Sequence, residues 1–351
     1  MTPQSLRRPR FLARSAALVV LVVLGLVAAG CGGGGGGDGA GTLTIYSGRH
    51  YGVESAFEQY AEDSGIDIEY LTGNDAELRE RIAAEGEDGP ADVYLTVDAG
   101  NLWAAAEDDL FQPVESDVLD EAIPEEYRDE ENRWFALALR ARTIVYNPEL
   151  IDEAEVATTY EELAEPEWDG RVCMRNASND YQQSLVASMI AANGEEDTLD
   201  VLRGWTENAE IFANDVELLD AMAAGACEVG VVNHYYLAEM LEEEPDAPIE
   251  LMWAEQDSRG VHINISGGGI TRYADDTEAE AGKAFLEWLA TDGQNTLVAD
   301  NHEYPANSTV APEPLIRERF GVDFKRDTLR ADVLGSFNER AVELMDEAGF
   351  G

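Results

Sequence analysis

Residues 228–233, EVGVVN, read as a strand, and residues 235–243, YYLAEMLEE, as the helix that leaves it. A strand running straight into a helix is the repeating unit of a mostly parallel sheet, and such sheets collect ligands at the loops leaving their C-terminal strand ends. Tyr235 and Tyr236 stand side by side at that position. The same alternation extends in both directions. Upstream, LTIYS (43–47), IDIEYL (66–71) and ADVYLTV (91–97) read as strands between helices at 53–63, 75–85 and 99–107. RVCMR (171–175) opens a second series, with helices at 182–192, 196–207 and 215–224. Two alternating segments, LRARTIVYN (139–147) and VHINISGGGIT (261–271), have no helix between strands and read as crossings between two lobes. Gly267, Gly268 and Gly269 add backbone freedom suited to a hinge.

Strand ends elsewhere carry matching side chains. His50 and Tyr51 follow the first strand in YSGRHY, and Tyr181 lies in SNDYQQS between RVCMR and the next helix. A phenol normally holds its proton to pH ~10, so tyrosine is a poor general metal ligand. A hard trivalent cation reverses that preference electrostatically. Zinc favours Cys and His, and calcium favours carboxylates and carbonyls. His50, Tyr51, Tyr181, Tyr235 and Tyr236, if convergent, therefore point to Fe(III). Taken singly, Tyr51 reads equally well as a surface aromatic and Tyr181 as a half-buried packing residue. On a helix one of the 235–236 pair could face the core. His234 reads as a spectator, His262 and His302 as structural.

The chain has 23 Lys+Arg against 72 Asp+Glu, a formal net charge of −49, and only Lys283 and Lys325 are lysines. Such a chain does not hold nucleic acid or an anionic membrane surface by charge. Residues 1–30 carry Arg7, Arg8, Arg10 and Arg14, no acid, and an apolar run too short for a membrane span, which reads as a signal peptide. It ends in VAAGC, a small-residue cleavage site directly before Cys31, with the pattern of a lipoprotein signal; the alternative is an ordinary secretory leader. The glycine-rich stretch 31–41 follows as a flexible tether. The roughly 310 residues beyond it are enough for two lobes. Cys173 and Cys227 sit in or beside short apolar runs and, outside the cytoplasm, read as a disulfide, with buried free thiols as the alternative.

These segments resemble the iron(III)-binding solute-binding proteins of bacterial ABC transporters, of the type II periplasmic-binding-protein fold. The resemblance runs from LTIYSGRHY through GPADVYLTVDAGNLW, WFALALRARTIVYN, SNDYQQSLVASMI, VVNHYYLAEM and HINISGGGI to NHEYPAN and DVLGSFNERAVELMDEAGF. It implies an α/β clamp with a two-strand hinge: lobe 1 from 42–140 and 268–351, lobe 2 from 141–267, and a ligand cleft between them. His50 and Tyr51 would come from the first lobe, Tyr181, Tyr235 and Tyr236 from the second. One branch of the family adds an acidic ligand and a synergistic anion such as phosphate or carbonate, which makes Asp98 in TVDAGN a candidate; the tyrosine-rich, anion-independent branch is the better match. Arg140 and Arg142, at the first crossing, are candidates to offset phenolate charge or hold an anion, against ordinary salt bridging. The implied protein is a monomeric, lipid-anchored extracytoplasmic receptor that passes ferric iron or a ferric chelate to a permease and its ATPase. It is not an enzyme. A type II receptor for a polyamine, thiamine or sulfate is the alternative. A hydrolase is remote, because no G-x-S-x-G elbow or H-E-x-x-H helix occurs.

Overall fold

The structure is a computed structural model that describes residues 41–49 and 52–351. The expected signal peptide, Cys31 and most of the tether, like His50 and Tyr51, lie outside the described residues. The chain begins β1 (Thr42–Ser47), α1 (Glu54–Ser64), β2 (Asp67–Thr72), α2 (Asp75–Glu85), β3 (Val93–Thr96), α3 (Ala99–Glu107), α4 (Asp117–Ala122) and β4 (Phe135–Tyr146). A second series follows: β5 (Val172–Arg175), α5 (Asp180–Asn193), α6 (Glu195–Asn208), β6 (Ala209–Phe212), α7 (Asp215–Ala223), β7 (Val229–Asn233) and α8 (His234–Glu243). It closes with β8 (Glu250–Met252), β9 (His262–Ile270), α9 (Asp276–Ala290), α10 (Gln294–Ala299), β10 (Tyr304–Pro305), α11 (Pro314–Arg319), α12 (Ala331–Ser336) and α13 (Asn338–Ala348).

The strands form one sheet in the order β2-β1-β3-β9-β4-β7-β5-β6, with β8 and β10 also paired to β4. The alternating β–α units give parallel neighbours at both ends, β1 with β2 and β3, and β5 with β6 and β7. β4 and β9 join them. β9 runs antiparallel to β3 at one end and to β4 over Phe135–Arg142, while β7 takes over the pairing of β4 from Arg142 to Tyr146. Every residue of both long strands is buried, as their near-continuous apolar character requires.

Two apolar clusters pack against the sheet, the first reaching across the joint to Cys173, Leu218 and Leu237. The first gathers Phe57, Tyr94, Trp134 and Phe285, the second Tyr160, Trp168, Trp205 and Leu344. The last two helices pack differently from one another. Leu334 of α12 belongs to the first cluster, but Ala341, Leu344 and Met345 of α13 belong to the second. The amphipathic face of α13 buries against α5 and α6, a choice that helical periodicity cannot reveal.

The glycine run also differs from its expected role. Gly267, Gly268 and Gly269 lie inside β9. A Cβ on Gly268 would stand 2.3 Å from Leu95 Cδ2, and one on Gly269 2.3 Å from the Arg133 carbonyl oxygen. Close approach of neighbouring chain, not hinge freedom, demands glycine there. Cys173 on β5 and Cys227 ahead of β7 form a disulfide with Cα atoms 5.8 Å apart. Among the described residues no helix is long and apolar enough to cross a membrane.

Candidate metal centre

Tyr181, Tyr235 and Tyr236 line one cleft of about 990 Å³. The β–α units put them there. Tyr181 is in the first turn of α5, whose N-cap Asn179 accepts a hydrogen bond from the Tyr181 N–H at 3.0 Å. Tyr235 and Tyr236 are in the first turn of α8, directly after β7, and their rings lie 4.3 Å apart. At a helix start both neighbours can reach the same space. Gly52, Glu54, Ser55 and Glu58 also line it, together with residues 300–303. His50 and Tyr51 immediately precede Gly52 in the chain. Among the described residues no cluster of three or more His, Cys, Asp or Glu is arranged to hold a metal.

Charges of both signs surround these phenols. The Arg140 guanidinium stands 5.1 Å from the Tyr181 ring centroid and that of Arg175 5.4 Å. Burial raises the Tyr236 phenol above its ordinary value and Tyr181 adds to the shift, while a bond with Tyr235 and the charge of Arg175 oppose it. Asp180, at the start of α5, is pushed up to about 6, first by burial and then by Asp98, against the pull of Arg140 and Arg175. The Tyr236 phenol, held protonated in this way, needs a strong cation to displace its proton.

The other expected residues divide. Arg140 faces the cleft side through Tyr181, but Arg142 is spoken for. Its guanidinium donates to Asp215 Oδ1 at 2.9 Å, Gln182 Oε1 at 3.1 Å and the Val231 carbonyl at 3.0 Å, so it ties β4, β7, α5 and α7 together instead of facing a ligand. Asp98 caps α3, accepting from the Asn101 N–H at 3.1 Å and from Asn264 Nδ2 at 2.8 Å. His234 is fully buried, accepts from the Ala141 N–H at 3.2 Å and is pushed down by burial to about 3, so it stays neutral. His262 is buried beside Ser184.

Four features escaped sequence reasoning. Arg175 ends β5, pairs with Asp215 and reaches Tyr181, a role its strand-end position could have suggested. His302, read as structural, lines the cleft and pairs with Glu313. Glu303 lies 2.6 Å from Arg49 while itself 1 % exposed. Finally, Glu239, Glu242 and Glu243 of α8 join Glu54, Glu58 and Asp300 in an acidic lining.

A family profile described as bacterial extracellular solute-binding protein matches residues 88–321. Iron uptake protein A1 of Synechocystis is 38 % identical over 318 residues, covering 88 % of this chain and 87 % of that protein. The Fe(3+)-binding periplasmic protein of Serratia marcescens is 29 % identical, covering 88 % and 90 %. Among solved structures, a Trichodesmium FutA protein with iron and citrate ligands superimposes with a TM-score of 0.82 at 35 % identity, covering 88 % of this chain and all of that one.

Proposed function

This chain belongs to the bacterial extracellular solute-binding protein family, and from that premise we propose that it captures ferric iron in its cleft and delivers it to an ABC importer. The observation that carries the reading is the convergence of Tyr181, Tyr235 and Tyr236 on the space bordered by Gly52. In the reading, Tyr51 and His50 complete the donor set from the opposite wall. Four phenolates around Fe(III) leave about one negative charge, which the guanidiniums beside Tyr181 offset. Iron touching both walls favours the closed arrangement, because only that arrangement satisfies all donors. Binding releases phenol protons, so affinity falls as pH falls. No covalent chemistry is required.

The lobes are assigned as 42–140 with 268 onward, and 141–267, with α13 transferred to the second on its packing. Residues 1–30 act as a signal peptide, Cys31 as a lipid-bearing anchor outside the membrane, and 31–41 as a tether. The receptor works as a monomer with a permease and its ATPase as partners. Titration with Fe(III)–citrate tests the reading: a phenolate-to-iron charge-transfer colour develops, and Tyr236→Phe weakens binding by more than the roughly 10- to 100-fold typical of outer-shell changes. A protein that stays colourless, or one that binds spermidine and ignores iron, refutes it.

A further inference from the structure

We propose that Glu303 is a positioning residue that locks the turn entering the His50–Tyr51 segment to the strand beside Tyr181; the proposal builds on the ferric reading of this cleft. Its carboxylate stands between two buried guanidiniums. Arg49 Nη1 lies 2.6 Å from Oε2, and Arg140 Nε lies 3.8 Å from Oε1. Each arginine is anchored a second time. Arg49 Nη2 donates to the Leu297 carbonyl at 2.8 Å, and Arg140 Nη2 to the Ile265 carbonyl at 2.8 Å. Arg49 directly precedes His50 in sequence, and Arg140 faces the Tyr181 ring. One carboxylate therefore links the chain entering one set of donors to the cation beside another.

The backbone delivers Glu303 to this place. β10 pairs with β4 through Tyr304↔Leu139 and Pro305↔Ala138, so the next residue outward, Glu303, falls beside Arg140. His302 adopts a left-handed φ of 53°, uncommon for a residue with a side chain, and turns the chain into that register. Carboxylate and guanidiniums are nearly removed from water, where charge pairing is weakly screened. Neutralising Glu303 while leaving Arg49 buried should loosen the turn without emptying the core.

The experiment compares wild type with Glu303→Gln, Glu303→Asp, Arg49→Met and the double variant Arg49→Met/Glu303→Gln. In metal-free protein, amide exchange of residues 48–53 should quicken about tenfold or more in Glu303→Gln, while α6 keeps its wild-type protection. After Fe(III) loading, release to excess citrate should accelerate about 10- to 100-fold with a shifted charge-transfer band. Glu303→Asp should fall between, and the double variant should be no worse than the poorer single, as expected for partners in one interaction. Unchanged exchange at 48–53, or effects of the two single variants that multiply, overturns the proposal. Should Glu303→Gln not fold, Glu303→Asp carries the same readouts, and wild-type exchange from Asp is the overturning result. A wild type that takes no iron refutes the ferric reading, while the metal-free exchange still decides the role of Glu303.

Discussion

Removing the Cys173–Cys227 disulfide tests how far the second half of the sheet depends on covalent closure. The bridge spans a sequence separation of 54 and encloses β5, α5, α6, β6 and α7, with Tyr181 inside the loop and Tyr235 just beyond it. On the chain-entropy account, closing a loop of that length removes about 14 cal/mol/K from the unfolded ensemble, or about 4 kcal/mol at 25 °C. The folded state holds β5 and β7 in register through Val172↔Val229 and Cys173↔Gly230, so the cysteines remain neighbours after reduction and little native packing is lost. Cys173→Ser/Cys227→Ser should therefore lose about 4 kcal/mol in urea unfolding with little change in native circular dichroism. Segment-resolved hydrogen exchange should place the loss in the segments the bridge encloses, around Met189, Trp205 and Leu218, and spare the distant Phe57 and Phe285. A loss below about 1 kcal/mol, with thiol titration confirming that no bridge forms in the variant, refutes the reasoning.

Asp75 is buried and its carboxyl is pushed up to about 7, mainly by desolvation. Between about pH 4 and pH 7 the folded state keeps a proton the unfolded state has lost, so stability falls as pH rises, by about 1.4 kcal/mol per unit. Asp75→Asn should remove that slope, and parallel urea midpoints for the two proteins across this window would contradict it. The acidic lining formed by Glu54, Glu58, Glu239, Glu242, Glu243 and Asp300 should steer cations inward. Stopped-flow capture of iron should slow on the order of tenfold between low and high salt, and Glu239→Gln/Glu243→Gln should flatten that dependence while release stays unchanged. A capture rate indifferent to salt would remove the steering argument.

Local pattern made much of the scaffold legible. Periodicity of two and of 3.6 placed α2 at 75–85 and α3 at 99–107, as observed, and put the tyrosines at the ends of β5 and β7. What it could not show was partnership. Arg140 and Arg142 read alike in sequence and share a face of β4, yet one lies beside Tyr181 and Glu303 while the other is held by Asp215. Glu303 depends on the pairing of β10 with β4, a register between segments far apart in the chain. The first residues of α8 carried a visible ligand signature, whereas Arg175 carried only its position. The glycines of β9 were visible as glycines, but the reason for them lay in the strands beside them.

The handover at the C-terminus has a mechanical consequence. Because α12 packs on α3 and also reaches α5, while α13, one residue later, seats among α5 and α6, this segment adds a link between the two halves away from β4 and β9. Two antiparallel strands alone would leave a broad arc of bending and some twist. On the proposed closing motion, the short corner at Phe337 would act as a check strap that limits how far the jaws gape. On that motion the final helix would travel with the lobes, and trimming it would alter the swing before it altered the grip.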